Sequence, residues 1–148
     1  ANDALCAALQ IINHLQDCGA DYRTLDRVYV PRDALATAGA HVADLGAPAA
    51  SPAPRDCLAM LARRTGALLG DSKPLPMQVN DLRLALEIAV IQSSAQRLVS
   101  LLIARDPLSE RVHLGKAGFA GYGARGILTL LARRVRGGVA RARASQAT

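Results

Sequence analysis

The stretch from Ala8 to Pro31 reads ALQIINHLQDCGADYRTLDRVYVP, and the rest of the chain is organised around it. Its first part predicts a helix, because apolar residues recur at helical spacing at Leu5, Leu9, Ile12 and Leu15. We expect this helix to end near residues 18–19, where a glycine stands, or to continue irregularly as far as Asp21. The chain then continues into a short extended segment, residues 28–30, which Pro31 ends.

An amide and two carboxylates follow one another along this helix at intervals of four residues, at Asn13, Asp17 and Asp21. Side chains at this spacing lie on one face of a helix, one turn apart. Their oxygen atoms are the ligands that Mg²⁺ prefers, usually shared with substrate phosphates. The polar run begins one turn earlier at Gln10, and a polar seam on an apolar helix indicates a lined cavity. An ordinary solvated face is the alternative that the spacing alone leaves open.

Two arginines follow the carboxylates, and each has a functional and a plain interpretation. A guanidinium group matches phosphate geometry, so Arg23 and Arg27 predict a contact with a diphosphate. A surface ion pair with Asp26 is the plainer alternative. Tyr29 lies in the extended segment, where a tyrosine is more often a packing residue than a reactive one.

The composition favours an all-α fold. The chain has 148 residues, of which 51% are hydrophobic and only 3% aromatic, whereas strands are enriched in aromatic and β-branched residues. A short helix is expected between Pro31 and Gly39, and a loop or weak helix over residues 40–54. Further helices are predicted at residues 55–69, 80–104 (the longest, capped by Asn80) and 121–135, with a turn at 71–77 and a loop at 108–119. The glycine pair 137–138 should end the last helix.

The charge is concentrated at one end of the chain. The net charge is +6, but acidic and basic residues balance over residues 1–120, and the excess comes from six arginines between residues 121 and 148. We therefore divide the chain into a helical domain, residues 1–136, and a basic disordered tail, residues 137–148. Such a tail predicts attraction to an anionic membrane surface, or a solvated segment without a partner. The tail has no aromatic residues for stacking on bases, so nucleic acid is not expected.

Several other kinds of site receive no support from the sequence. The three cysteines lack the spacing of a zinc site, and their odd number does not suggest a disulfide framework. His14, His41 and His113 are scattered and predict no metal triad. No uninterrupted apolar run of about twenty residues occurs, so a membrane span is not expected. A cytoplasmic location is the default expectation.

The quoted stretch resembles the second aspartate-rich region of the squalene and phytoene synthase family. Members of that family read roughly Q-x-x-N-x-x-x-D-x-x-x-D, followed by an Arg-x-Tyr-hydrophobic-Pro run. The matching positions here are Gln10, Asn13, Asp17, Asp21, Arg27, Tyr29 and Pro31. The later segment ALEIAVIQSSAQRLVSLLIARDPLSERVHLGK, residues 85–116, is most similar to the bacterial hopanoid-pathway branch of the family.

The resemblance implies an all-α isoprenoid-synthase fold and a Mg²⁺-dependent reaction on prenyl diphosphates. In the hopanoid branch, presqualene diphosphate loses its diphosphate group and water captures the cation to give hydroxysqualene. By position, Asn13, Asp17 and Asp21 are similar to the family's metal ligands, and the two aspartates to its catalytic residues. Gln10, Arg27 and Tyr29 resemble residues of its substrate pocket.

The resemblance also implies that this chain is the C-terminal half of a synthase. Family members carry two aspartate-rich regions on facing helices, and only the second is present, so the first would lie upstream of Ala1. Gln16 and Ala20 stand where many phytoene synthases have Arg and Glu, which weakens the interpretation of this chain as a phytoene synthase. The open alternatives are a synthase making presqualene diphosphate or squalene from farnesyl diphosphate, a phytoene synthase, and a non-catalytic basic helical adaptor for membranes or nucleic acid.

Overall fold

The chain folds into helices joined by short connections. The computed structural model describes the backbone of residues 1–145 and the side chains of residues 1–138. This part holds six α-helices and one 3-10 helix and contains no strand, which confirms the all-α prediction. The α-helices are α1 (Asn2–Leu25), α2 (Arg32–Thr37), α3 (Pro52–Ser72), α4 (Leu75–Gln78), α5 (Leu82–Ala104) and α6 (Lys116–Ser145), and the 3-10 helix is Val42–Gly46.

Helix α5 lies at the centre of the packing. It contacts α1 and α3 on one side and α6 on another, while α4 contacts both α5 and α6. The main core lies between α1, α3 and α5, where Ile12, Leu58 and Leu102 are almost completely buried. A smaller apolar cluster joins α5 to α6 through Ala85, Ala89 and Leu130. By length and composition alone α5 could cross a membrane, as many core helices could, and here its contacts are those of a core helix.

Helix α1 is longer than the sequence predicted. It does not end at residues 18–19 but continues to Leu25. Gly19 is buried, and a Cβ atom there would lie 2.8 Å from Cδ2 of Leu108, so the glycine permits a close approach instead of ending the helix. The helix ends at Asp26, which adopts the left-handed conformation (φ 51°), and the amide of Arg27 donates to the carbonyl of Asp21 at 3.1 Å.

The middle helices agree with the prediction in order and differ at their ends. Helix α3 begins earlier and ends later than residues 55–69, since proline is well tolerated in a first helical turn. The predicted turn at 71–77 contains the short helix α4. The cap of α5 is Asp81 and not Asn80: a carboxylate oxygen of Asp81 accepts a hydrogen bond from the amide of Leu84 at 2.7 Å.

Helix α6 differs most from its prediction. It is the longest helix, with 30 residues, and it begins at Lys116 instead of residue 121. It continues through Gly137 and Gly138 to Ser145, so the predicted break at that pair is wrong. The disordered character of the tail, residues 137–148, stays a prediction. Interior glycines cost a helix only about 1 kcal/mol each. Arg134 also holds α6 in place by donating to the carbonyls of Pro76 (3.2 Å) and Val79 (2.6 Å). A domain boundary at residue 136 stays a prediction, and residues 146–148 lie outside the described part.

Candidate functional site

A row of four polar side chains runs along α1 on the side away from the core. It consists of Gln10, Asn13, Asp17 and Asp21, and we call it the polar stripe. At 3.6 residues per turn these positions share one side of the helix, and the opposite side is buried through Leu5, Ala8, Ile12, Leu15, Cys18 and Gly19. Asp21 is half-buried and the other three are exposed. The predicted spacing therefore holds in the structure, and the roles of the four side chains stay predictions.

The polar stripe faces outward, and none of its four residues lines either of the two cavities beside α5 in the described part of the chain. The sequence predicted a seam of polar groups on a core helix, which would need internal partners. The structure instead gives α1 one apolar side against α3 and α5 and one polar side that is open. Three of the four side chains are exposed, so the stripe is accessible to a ligand or to a further protein surface.

The side chains of the polar stripe fit one mode of Mg²⁺ binding, in which the protein supplies only some of the ligands. In the described part of the chain, no three His, Cys, Asp or Glu side chains come together as a group that could enclose a metal. Asn13, Asp17 and Asp21 offer one amide and two carboxylate groups, spaced one turn apart. Mg²⁺ is commonly held by only one or two carboxylates, with water and substrate phosphate completing the octahedron. The stripe thus fits a Mg²⁺ ion shared with a phosphorylated substrate, and it does not form an all-protein cage.

Tyr29 returns to α1 and packs beside the polar stripe. After Asp26 the chain reverses direction, and the ring of Tyr29 stacks on the ring of His14, with centroids 4.0 Å apart and an interplanar angle of 17°. His14 follows Asn13 and lies at the edge of the stripe by helical spacing. Tyr29 remains 44% exposed. The extended segment is therefore held against the same side of α1 that carries the carboxylates.

The two arginines that the sequence grouped together separate in the structure. Arg23 projects from another side of α1 and donates a hydrogen bond to the carbonyl of Ala47 at 3.1 Å. This contact ties α1 to the end of the 3-10 helix, so the expected role of Arg23 near the carboxylates is wrong. Arg27 is exposed directly after the turn at Asp26, and within the described part its side chain forms no ion pair, so the alternative pairing with Asp26 is absent.

Gln16 and His14 have structural partners that the sequence did not reveal. Gln16 donates to the carbonyl of Val112 and lies 3.2 Å from Nδ1 of His113, which joins α1 to the segment after α5. Gln16 stands where many phytoene synthases have Arg. Because its side chain is directed to Val112 and His113, this difference removes no charge from the polar stripe. Helical spacing could have placed His14 beside the stripe, but its stack with Tyr29 depends on how the chain turns at Asp26.

The buried thiols are not candidates for nucleophiles. Burial raises the pKa of Cys18 from 9.0 to about 12. Burial also raises the pKa of Cys57, with a smaller contribution from Asp33. A thiol that keeps its proton is a poor nucleophile and a poor metal ligand. These two thiols therefore do not compete with the side chains of the polar stripe as candidates for a functional site.

Comparison with known proteins identifies the family of this chain. The family profile described as squalene/phytoene synthase matches residues 1–117. The chain is 60% identical over 126 residues to a hydroxysqualene synthase of Rhodopseudomonas palustris, which is 84% of this chain and 43% of that protein. Hydroxysqualene synthases of Sinorhizobium fredii and Zymomonas mobilis are 47% and 49% identical, over 93% and 78% of this chain. No solved structure matches the chain significantly.

The matched region includes α1 with its polar stripe, α3 and α5, and these three helices supply most of the main core. The chain spans less than half the length of these curated relatives, from 39% to 47%. Since the family profile covers most of the chain and these relatives resemble it closely, the chain belongs to the squalene/phytoene synthase family.

Proposed function

We propose that this chain forms the diphosphate-binding half of an enzyme that converts presqualene diphosphate to hydroxysqualene with release of diphosphate. The observation that carries the proposal is the polar stripe. A helix whose other side is buried in the core presents an amide and two carboxylates in the open, in a chain whose relatives are named hydroxysqualene synthase. Mg²⁺ is the cofactor that this donor set fits.

Within the proposal, each residue of the site has a separate task. Asn13, Asp17 and Asp21 would hold Mg²⁺, which supplies Lewis-acid stabilisation of the departing diphosphate. Gln10, one turn before Asn13, would accept or donate hydrogen bonds at the substrate end of the stripe. The guanidinium of Arg27 would contact diphosphate oxygens, a geometry that arginine satisfies with two parallel hydrogen bonds. The Tyr29 ring, held by His14, would form part of the pocket wall.

The polar stripe would need a second protein surface in front of it. The substrate passes through a carbocation, and a dry apolar cavity protects such an intermediate from premature capture. Large apolar side chains are exposed at Leu25, Ile91 and Phe119, which supports cover by further protein. We propose that this cover is a segment preceding Ala1 that carries the family's first aspartate-rich region.

Turnover of presqualene diphosphate by the longest polypeptide that the gene encodes tests the proposal. The product would be identified by mass, with Mg²⁺ present and with EDTA in its place. Hydroxysqualene and free diphosphate, formed only with Mg²⁺ and without a reductant, are the expected result. Squalene or presqualene diphosphate formed from farnesyl diphosphate, or phytoene from geranylgeranyl diphosphate, would assign the chain to another member of the family. No Mg²⁺-dependent product from any of these substrates would contradict the proposal.

We also propose that the enzyme is cytoplasmic and binds the membrane surface through α6. Leu128, Leu131 and Val135 are 67%, 40% and 66% exposed and lie along one side of the helix. Arg136 borders this apolar row. An exposed apolar row bordered by a basic residue is typical of helices that lie in the interface of an anionic bilayer.

Co-sedimentation with phosphatidylglycerol vesicles at low salt tests this contact. Replacing Leu128 and Val135 by serine should reduce the bound fraction severalfold. The matched control replaces Leu82 and Leu84 by serine, which removes similar exposed apolar surface from α5. If the unaltered protein ignores the vesicles, or both double variants lose binding equally, α6 is not the membrane contact.

A further inference from the structure

A cavity of about 570 Å³ lies between α6, α5 and the end of α3, away from the polar stripe. Its volume is within the range of ordinary small-molecule sites. Four of the residues that line it are cationic, and no Asp or Glu is among its described lining residues; the four are Lys73, Arg97, Arg125 and Arg133. We refer to this cavity as the basic groove.

The positive charge of the basic groove has no counterpart in the described part of the chain. The ion pairs found there are Arg83–Glu87 and Arg105–Glu110, and neither includes a groove residue. Lys73 caps the C-terminal end of α3, where the helix dipole favours a cation, so its position has a structural reason. Arg97 lies against the ring of Tyr122, but no such reason applies to Arg125 and Arg133, which α6 brings to the same cavity. Their mutual repulsion would be relieved by a bound anion.

The walls of the basic groove are fixed by contacts that need no ligand. The guanidinium of Arg97 lies over the ring of Tyr122, 5.5 Å from its centroid, which holds that charge between α5 and α6. On the other wall the amide of Gln92 donates to the carbonyl of Ser72 at 2.6 Å and lies 3.0 Å from its hydroxyl. These contacts connect α5 to the turn that carries Lys73. A site with preorganised donors binds an anion with less loss of side-chain entropy.

We propose that the basic groove is a second ligand site, which binds an anion carrying two or more phosphate groups. Three arginines and a lysine offer more donors than one phosphate group accepts, and guanidinium groups bind phosphate oxygens in pairs. The cavity is also larger than a single phosphate group requires. Binding at this site uses neither the polar stripe nor Mg²⁺, and so it is independent of the proposed reaction.

The position of the groove on α6 favours a free anion over a lipid headgroup. Tyr122, Gly126, Thr129 and Arg133 face the groove from one side of the helix. The exposed apolar row of Leu128, Leu131 and Val135 lies on the opposite side by helical spacing. A helix that rests its apolar row on a bilayer would therefore turn the groove away from the lipid headgroups.

Calorimetric titration with inorganic diphosphate, in EDTA and at fixed salt, tests the proposal in the longest polypeptide that the gene encodes. The Asp17→Asn variant should bind equally well, because the groove does not include the stripe. Replacing Arg97 and Arg125 together by glutamine should weaken binding about tenfold or more, since two charge-assisted contacts are lost. The matched control replaces Arg63 and Arg64 by glutamine. These are two exposed arginines of α3 outside the groove, and their replacement should change the Kd less than twofold.

A parallel titration with phosphatidylglycerol vesicles distinguishes the sources of phosphate. Diphosphate binding that depends on Arg97 and Arg125 supports a free anion. Vesicle binding with that same dependence, and none to free diphosphate, would support the groove and assign it to a lipid headgroup. The proposal is overturned if neither probe binds, or if both double variants lose affinity equally, because the attraction would then come from overall charge. Circular dichroism confirms that each variant is helical.

Discussion

The rings of His14 and Tyr29 stack at a centroid distance of 4.0 Å, and this contact joins the end of the quoted stretch to its middle. It fixes the segment after Asp26 against the side of α1 that carries the two aspartates. Tyr29 comes eight residues after Asp21 in the sequence and lies beyond the end of α1. The contact with His14 explains how it returns to the side of α1 that carries the carboxylates.

A double-mutant cycle measures this stack. His14→Ala and Tyr29→Ala should each destabilise the fold, and their coupling energy should be about 0.5 to 1.5 kcal/mol, nearer the lower value because Tyr29 is partly exposed. Urea unfolding followed by circular dichroism supplies the four free energies. Tyr29→Phe keeps the ring and serves as the control. Additive effects of the two alanine variants would show that the rings do not interact in solution.

The ligand assignment predicts that Asp17→Asn loses at least about a hundredfold in diphosphate release, because a metal contact worth several kcal/mol in the transition state is removed. Asp17 is exposed, so the free energy of unfolding should change by less than about 0.5 kcal/mol. Turnover of presqualene diphosphate over a Mg²⁺ titration is the measurement. Asp26→Asn, which removes a carboxylate outside the stripe at a left-handed position that asparagine tolerates, should stay active. Near-normal turnover of the Asp17→Asn variant would contradict the assignment of Asp17 as a metal ligand.

The approach of α6 to α5 depends on Gly126. A Cβ atom there would lie 2.4 Å from the carbonyl oxygen of Ala89, so Gly126→Ala must push the helices apart and should cost about 1 to 3 kcal/mol. Gly121 on the same helix has open space around it, and Gly121→Ala should stabilise by up to about 1 kcal/mol through helix propensity. Urea midpoints compare the two variants. Equal stability of both would mean that the helices are not in close contact.

The buried thiol of Cys18 predicts a loss of stability in alkaline solution. Its pKa rises to about 12 in the folded chain because of burial, while an unfolded thiol ionises near its ordinary value of 9.0. Below pH 9 both states keep the proton, and between pH 9 and 12 only the unfolded state loses it. Folding therefore weakens by about 1.4 kcal/mol per pH unit in that window.

The difference in unfolding free energy between pH 8 and pH 10 isolates this effect. The unaltered chain should lose about 1.4 kcal/mol more than Cys18→Ala over this interval. Cys6→Ala, at an exposed position, should lose as much as the unaltered chain. A Cys18→Ala variant with an unchanged pH dependence would contradict the burial of this thiol.

Local patterns in the sequence were enough to predict the helical class and the shared face of Asn13, Asp17 and Asp21, because helical spacing determines both. The errors arose where distant contacts decide the outcome. Gly19 resembled a helix end, but its partner is Leu108, nearly ninety positions later. The extent of α6 likewise depends on its packing against Ala89 and on hydrogen bonds from Arg134.

The features of the candidate site also fall into two groups, those that helical spacing predicts and those that distant contacts decide. The residues of the polar stripe follow from spacing, whereas the separation of Arg23 from Arg27 depends on the turn at Asp26 and on the carbonyl of Ala47. The basic groove was not foreseen, since its charges come from two helices and the end of a third and appear in the sequence as one lysine and scattered arginines. Helical periodicity cannot show which faces of separate helices meet.

Under the proposed function, the arrangement of α1, with its packing residues on one side and its polar stripe on the other, separates the evolution of catalysis from that of folding. A substitution at Gln10, Asn13, Asp17 or Asp21 changes what the helix offers to a ligand and removes almost nothing from the core. Selection can therefore explore new ligand sets at these positions without compensating changes elsewhere in the chain. Divergence of substrate or product among relatives would then require few mutations, and inactive variants would persist as stable proteins instead of being degraded.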